Sequence, residues 1–219
     1  MTLEFGWVPE FLGFFLAASV VALQLLVGSA VLSLVLGLLL GQALTSKRVW
    51  VWLPARLWVD FFRLTPILVQ ILAVFLLLPA LTGGRVNPLY SGMLALGLNY
   101  GAFFAEVFKA GITSVDRGQW EAADAMGMSS LQVLRRVVYP QGLRRMLPPI
   151  GNMLITLTKD TSLVSVIGVS ELLNTSQSVG AQTFQNVETL LFISLFYLAV
   201  NIPLSLLTTA LHNRQVANA

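Results

Sequence analysis

The sequence predicts an all-α protein that crosses a lipid bilayer several times. Of its 219 residues, 56% are hydrophobic and 11% charged, where soluble domains carry about 25% charged residues. The mean hydropathy is +0.79. The apolar residues fall into runs long enough to cross a hydrocarbon core of roughly 30 Å, which takes about 20 residues of helix. Between two of those runs, from Gln119 to Pro149, lie four arginines, two acids and a series of helix formers. That segment is too polar to lie in lipid, and it sets the functional question.

Five spans are expected, at about 11–44, 55–80, 89–112, 149–169 and 188–211, in a single domain over 1–219. The N-terminus carries Glu4 and Glu10 with no basic stretch and does not read as a signal peptide. With the N-terminus outside, the inner segments hold Lys47, Arg48, Arg56, Lys109, Arg117, Arg135, Arg136, Arg144, Arg145 and Arg214. The outer segments hold only Arg85. The positive-inside rule then predicts N-out and C-in, which places 113–148 in the cytoplasm. The first span exceeds what the bilayer needs and is expected to tilt or extend. Its Ser29, Ser33, Gly37 and Gly41 recur every four residues, a pattern that lets helix backbones approach closely in lipid. They pack either within the chain's own bundle or against another subunit.

Several functions are excluded. There is no G-x-x-x-x-G-K-[ST] stretch, so the chain does not cradle ATP phosphates by itself. It has no cysteine, and its one histidine, His212, falls at the end of the last span. That leaves no thiolate chemistry, no His/Cys metal set and no Ser–His pair at membrane depth. The composition describes a conduit or a scaffold rather than an enzyme.

Within the polar segment, Gly118 opens a turn, and Ala122, Ala123 and Ala125 favour helix. Gly127 permits a chain reversal. Ser129 or Ser130 is placed to cap a second, amphipathic helix with Leu131, Leu134, Val137 and Val138 inward, which Pro140 is expected to end. The segment reads as two short helices at the membrane surface. They are either held there by arginines near headgroups or present a docking element, with Trp120 exposed, to a cytosolic partner.

The spacing of Glu121, Ala122, Ala123, then Gly127, then Val137, Tyr139 and Pro140 resembles the EAA motif of ABC-importer permease subunits. Val137 and Tyr139 replace its usual Ile and Leu. Phe61–Leu72, "FFRLTPILVQIL", resembles the F-R-G-T-P-x-L-V-Q box of polar amino-acid permeases, with Leu64 where that family usually has Gly. Lys159–Asn174, "KDTSLVSVIGVSELLN", resembles their K-D-T-S-L box. The resemblance covers roughly 11–211. It implies a type I ABC importer fold and a permease of the histidine, glutamine, glutamate and arginine type in the cytoplasmic membrane of a prokaryote. It also implies a second permease subunit, identical or related, two ATPase subunits that carry ATP and Mg²⁺, and an extracytoplasmic amino-acid-binding protein. No cofactor is expected in this chain, and lipid but no nucleic acid is expected among its partners. Trp120, Glu121, Ala122, Ala123 and Gly127 would couple to the ATPase.

The intramembrane polar residues are then the candidates for substrate, since charges there are costly and usually functional. At about 1.5 Å of rise per residue, Arg63 lies roughly 12 Å from the inner end of its span. Asn99, Lys159 and Asp160 lie about 15 Å into theirs. One reading has Arg63 take the carboxylate of an amino acid and Asp160 its ammonium, with hydrogen bonds from Thr65, Asn99, Thr161 and Ser162. Proline 66 frees the Phe62 carbonyl for a ligand. The other reading pairs Lys159 with Asp160, or Asp60 with Arg63, to hold helices together. Glu106 and Lys109 are expected to form an interfacial or gating ion pair. The function this implies is uptake of a polar or charged amino acid by ATP-driven alternating access. The alternatives are a secondary transporter or channel working alone, or a membrane scaffold.

Overall fold

The computed structural model describes residues 3–217, and the side chains of residues 3–210 and Asn213. His212 and Arg214 lie outside the described side chains. The described residues form helices and turns only: α1 (Val8–Leu44), α2 (Val49–Leu64), α3 (Ile67–Thr82), α4 (Pro88–Thr113), α5 (Arg117–Ala125), α6 (Ser130–Val133), α7 (Tyr139–Asp160), α8 (Leu172–Thr183) and α9 (Asn186–Ala217). A π turn, Leu134–Val138, joins α6 to α7, and a 3₁₀ segment, Thr161–Ile167, follows α7.

The bundle is built around α4. Asn87 caps it, its side chain accepting from the Leu89 N–H at 2.9 Å, and Pro88 stands in the first turn, where no amide partner is lost. Ala95, Leu96, Ala102, Phe104 and Ala105 are fully buried. The stripe of small residues on α1 packs against α4 within the chain. A Cβ at Gly41 would stand 2.7 Å from the Phe108 Cβ, and one at Gly37 would collide with Phe104. The Ser29 hydroxyl donates to the Met93 carbonyl at 3.3 Å. At its other end α1 is tied to α9 through Trp7, Phe15 and Phe192, the last two rings 5.0 Å apart.

By length and hydropathy, two described helices suffice to cross a bilayer: Val8–Leu44 and Asn186–Ala210. Two bent pairs also qualify if each is one span. Helix α4 is long enough but less apolar, because protein rather than lipid surrounds it. It replaces hydrocarbon with Ser91, Gly92, Gly97, Asn99 and Gly101, all buried.

Two expectations are corrected. The span over 55–80 is not one helix: α2 starts earlier, at Val49, and meets α3 at 109°. Pro66 lacks an N–H and disfavours the helical conformation at the residue before it, and Thr65 is extended (φ −108°, ψ 147°). Second, Pro140 does not end a helix. The π turn just before it widens the backbone by one residue, which accommodates the prolyl ring, and α7 continues to Asp160. The stretch 170–187 holds a further helix, α8. The buried Glu171 caps α8, accepting from the N–H groups of Leu173 and Asn174 at 2.9 and 2.8 Å.

Between α4 and α7 the chain turns at Gly127 and caps at a serine as expected, whereas Gly118, expected to open a turn, lies in the first turn of α5. Asp116 caps α5 through the Gly118 N–H at 2.7 Å. Gly127 adopts φ +73°, a conformation that β-carbon sterics discourage in other residues. Of the two cap candidates Ser129 is the cap, and the Gln132 side chain reaches back to its N–H at 2.8 Å. Leu131, expected inward, is 66% exposed, and Val133 takes the buried place. The Tyr139 hydroxyl donates to Gln42 Oε1, tying the π turn to the end of α1. Burial raises the pKa of that hydroxyl and keeps it a donor.

Candidate functional site

The break at Thr65–Pro66 frees backbone carbonyls inside the bundle, and two amide side chains satisfy them. Gln70 Nε2 donates to the Phe62 carbonyl at 2.9 Å, the Thr65 carbonyl at 3.1 Å and the Thr65 hydroxyl oxygen at 2.7 Å. Asn99 Nδ2 donates to the same Phe62 carbonyl at 3.0 Å and to Gln70 Oε1 at 2.9 Å. Both side chains are buried. The Phe62 carbonyl, expected to face a ligand, is thus held by α3 and α4. An unmade bond to a buried carbonyl costs about 1–3 kcal/mol, so this clamp fixes the angle between α2 and α3.

Beside the clamp lies a cavity of about 390 Å³ whose wall includes Thr65, Asn99, Tyr100 and Asp160. Asp160 Oδ2 accepts the Tyr100 hydroxyl at 2.7 Å, linking the end of α7 to the middle of α4. Among the described residues, Asp160 is the one charged side chain on this wall. Lys159 is exposed and has no ion-pair partner among the described residues, so the expected pairing of Lys159 with Asp160 is absent.

Arg63 does not reach this wall. It lines a second cavity, of about 470 Å³, together with Glu106 and Arg145. Phe103 and Met153 belong to both walls and form the partition between the two spaces. The Arg63 guanidinium lies 5.6 Å from the centre of the Phe103 ring, and its Nη1 donates to Glu106 Oε1 at 3.2 Å. Glu106 also takes Arg56 Nη1 at 3.0 Å and Lys109 Nζ at 3.6 Å, while Arg56 Nε holds Asp60 at 2.8 Å. Asp60 therefore pairs with Arg56 rather than Arg63. Glu106 joins α2 to α4 as the centre of three cations.

Of the residues predicted to meet, Thr65, Asn99 and Asp160 share one cavity and Arg63 stands in the next. Thr161 and Ser162 turn their hydroxyls back to the carbonyls of Thr158 and Lys159, at 2.7 and 2.8 Å. Thr161 lines a different, largely apolar space near Ser19 and Tyr197. Sequence reasoning missed Gln70, Tyr100, Phe103 and Met153. Gln70, a lone amide in an otherwise apolar run just after a proline, carried a signal. Phe103 and Met153 carried none.

On α5, Trp120 is half-buried and packs towards the core with the buried Ala123 three residues on, so it is not the exposed aromatic expected. The outward face presents Glu121, Ala122 and Asp124, with Met126 72% exposed just beyond the helix. Glu121 Oε1 accepts Arg117 Nε at 2.9 Å in full exposure, a link that contributes little stability.

The chain is 31% identical to the arginine transport system permease protein ArtQ of Bacillus subtilis over 219 residues, all of both chains. It is 37% identical to the glutamine transport system permease protein GlnP of Escherichia coli over 83% of each, and 38% identical to the L-cystine transport system permease protein TcyL of Bacillus subtilis over 77% of this chain and 75% of that one. A crystal structure of an amino acid ABC transporter with histidines superposes with a TM-score of 0.88 at 28% identity, over 98% of this chain and 100% of that one. The methionine transporter MetNI in an inward-facing conformation matches in fold, with a TM-score of 0.75 at 17% identity over 92% and 98%. A family model matches residues 33–216. With the helix break, its amide clamp and the glycine-turned polar segment all in place, the chain belongs to the family of binding-protein-dependent transport system inner membrane components.

Proposed function

We propose that this chain is the permease subunit of an ABC importer for a polar or charged amino acid, multi-pass in the cytoplasmic membrane of a prokaryote, with its N-terminus out and its C-terminus in. It works with a second permease subunit, two ATPase subunits that hold ATP and Mg²⁺, and an extracytoplasmic binding protein. The carrying observation is the pair of adjacent cavities with a shared partition. The one holding Thr65, Asn99 and Asp160 abuts the helix break; the other leads towards the 113–148 segment. Such a path suits alternating access, in which a site at the middle of the membrane opens to one side at a time.

In this reading Asp160 receives the ammonium of the amino acid, with the Tyr100 hydroxyl holding the carboxylate in place. Thr65 lies on the same wall. Asn99 and Gln70 position the break rather than the substrate, and Thr161 and Ser162 act as helix-end residues. Arg63 meets the substrate carboxylate only after Phe103 and Met153 part, in the space nearer the cytoplasm. ATPase closure reaches the spans through Glu121, Ala122, Ala123 and the Gly127 turn, with Trp120 as the inner wedge of α5.

The test is reconstitution in proteoliposomes with the ATPase and binding protein, scoring uptake of arginine, glutamine and cystine. ATP-dependent uptake of one or more is expected only with all components present. Uptake by the lone subunit driven by an ion gradient would overturn the reading in favour of a secondary transporter.

A further inference from the structure

A third cavity, of about 660 Å³, lies where the end of α1, the start of α2 and the α5–α6 segment meet. Its wall combines apolar and basic side chains. Leu39 on α1 and Val51 on α2 form an apolar rim, and both are exposed, at 63% and 43%. Lys47 and Arg48 of the α1–α2 link line the same cavity, with Thr45, Ser46 and Gln42. Lys47 and Arg48 are exposed and make no ion pair among the described residues, whereas Arg56, Arg63, Lys109 and Arg117 all do. Next to Arg48, Trp50 is 87% exposed, and Trp52 is also exposed. Tryptophan on such an outward face belongs at the headgroup level of a bilayer. Trp120 of α5, with Ser130 of α6 and Leu134 just beyond it, closes the far side, and Ala43 of α1 completes the wall.

We infer that this cavity binds the headgroup of an anionic phospholipid, with the phosphodiester on Lys47 and Arg48 and the first acyl carbons on Leu39 and Val51. The inference rests on the proposed placement of the α1–α2 link at the cytoplasmic surface. A free phosphate would use the cations but has no use for the apolar rim, and that contrast selects lipid over a soluble anion. The position gives the lipid a function. Its headgroup bridges the α1–α2 link to Trp120, so occupancy holds α5 against the bundle in the attitude in which its outer face meets the ATPase.

Near-surface cations contribute about fivefold each to attraction for anionic lipid, so the pair contributes on the order of 25-fold. The experiment is native mass spectrometry of the complete permease–ATPase complex taken from bilayers of phosphatidylglycerol or phosphatidylcholine. Wild type is expected to retain phosphatidylglycerol through detergent exchange and not phosphatidylcholine. The double variant Lys47→Gln, Arg48→Gln should lose most of it. Arg135→Gln with Arg136→Gln, which removes two exposed cations outside the cavity wall, should keep it. Equal retention by the Lys47/Arg48 variant and wild type would overturn the inference, as would release of the lipid by millimolar inorganic phosphate. Because lipid retention is read without transport, the result stands apart from the identity of the substrate. In proteoliposomes, stimulated ATPase activity should rise with the phosphatidylglycerol fraction for wild type and lie flat for the double variant. Parallel curves for the two would count against any role of the site in coupling.

Discussion

Glu106 holds the guanidinium of Arg63 at 3.2 Å, so the cation on α2 already has a carboxylate partner on α4 before any substrate arrives. The same carboxylate faces Arg56 and Lys109, and removing its charge leaves three cations converging on a neutral group. Glu106→Gln is expected to lower the melting temperature of the assembled complex by several degrees, a loss on the order of 1–3 kcal/mol. Arg63→Ala relieves that crowding and should cost no more than about 1 kcal/mol, since the Arg63 side chain is 36% exposed. Thermal unfolding of both variants checks the ordering, and a larger loss for Arg63→Ala would refute it.

Asp160→Asn keeps a partner for the Tyr100 hydroxyl and removes the charge. Uptake is expected to fall at least tenfold, with assembly and melting temperature close to wild type. Tyr100→Phe should impair uptake less, because it leaves the carboxylate in place. If both variants transport normally, the cavity beside the helix break is not the substrate site.

The clamp at the break makes a stability prediction. Gln70→Leu removes three donated hydrogen bonds, and Asn99→Leu removes two. Each strands buried carbonyl oxygen, at about 1–3 kcal/mol. Because the Gln70–Asn99 bond is lost in either single variant while the Phe62 carbonyl loses its last amide partner only in the double, the losses should not add. Additive losses in thermal unfolding would show that the two amides act independently.

Gly127→Val places a β-branched residue at φ +73°, at about 1–2 kcal/mol of local strain. Permease yield is expected to change little, while ATPase stimulation by loaded binding protein falls severalfold because α5 is re-aimed. Glu121→Lys should leave the fold intact and weaken retention of the ATPase in pull-down. Full stimulation in both variants would exclude the outer face of α5 as the docking surface.

Much of the polar segment was legible because its signals are local. A glycine turn and a serine cap act within four residues of where they stand, although the aspartate cap of α5 was not read from the sequence. What failed required knowledge of other helices. Counting 1.5 Å per residue along a straight span put Arg63 and Asp160 in one layer, but Pro66 turns the chain by 109°, and Arg63 goes with α2 to Glu106. The Phe62 carbonyl looked available because Gln70 lies on the far side of the break and Asn99 is 37 residues away. Trp120 shared a helical face with Ala123, so its inward direction could have been read from their spacing. The π turn before Pro140 could not, since nothing in its own residues distinguishes it from a helix end.

The joining of α6 to α7 through that π turn has a mechanical consequence. From Tyr139 to Asp160, α7 spans 22 residues, about 33 Å of helix, with one end rooted in the segment expected to meet the ATPase and the other carrying Asp160. Such an element is a lever arm: a tilt of about 10° at its foot carries its tip about 6 Å, comparable to the width of an amino acid. The arm also has a knuckle. Pro148 and Pro149 inside it withhold two amide hydrogens from the helical ladder and soften the rod near its middle. Met153 and Asp160 lie beyond the knuckle, on the half that swings. A stroke delivered at the foot would therefore draw aside one side of the partition and displace the carboxylate in the same movement, without any separate part to time the two events.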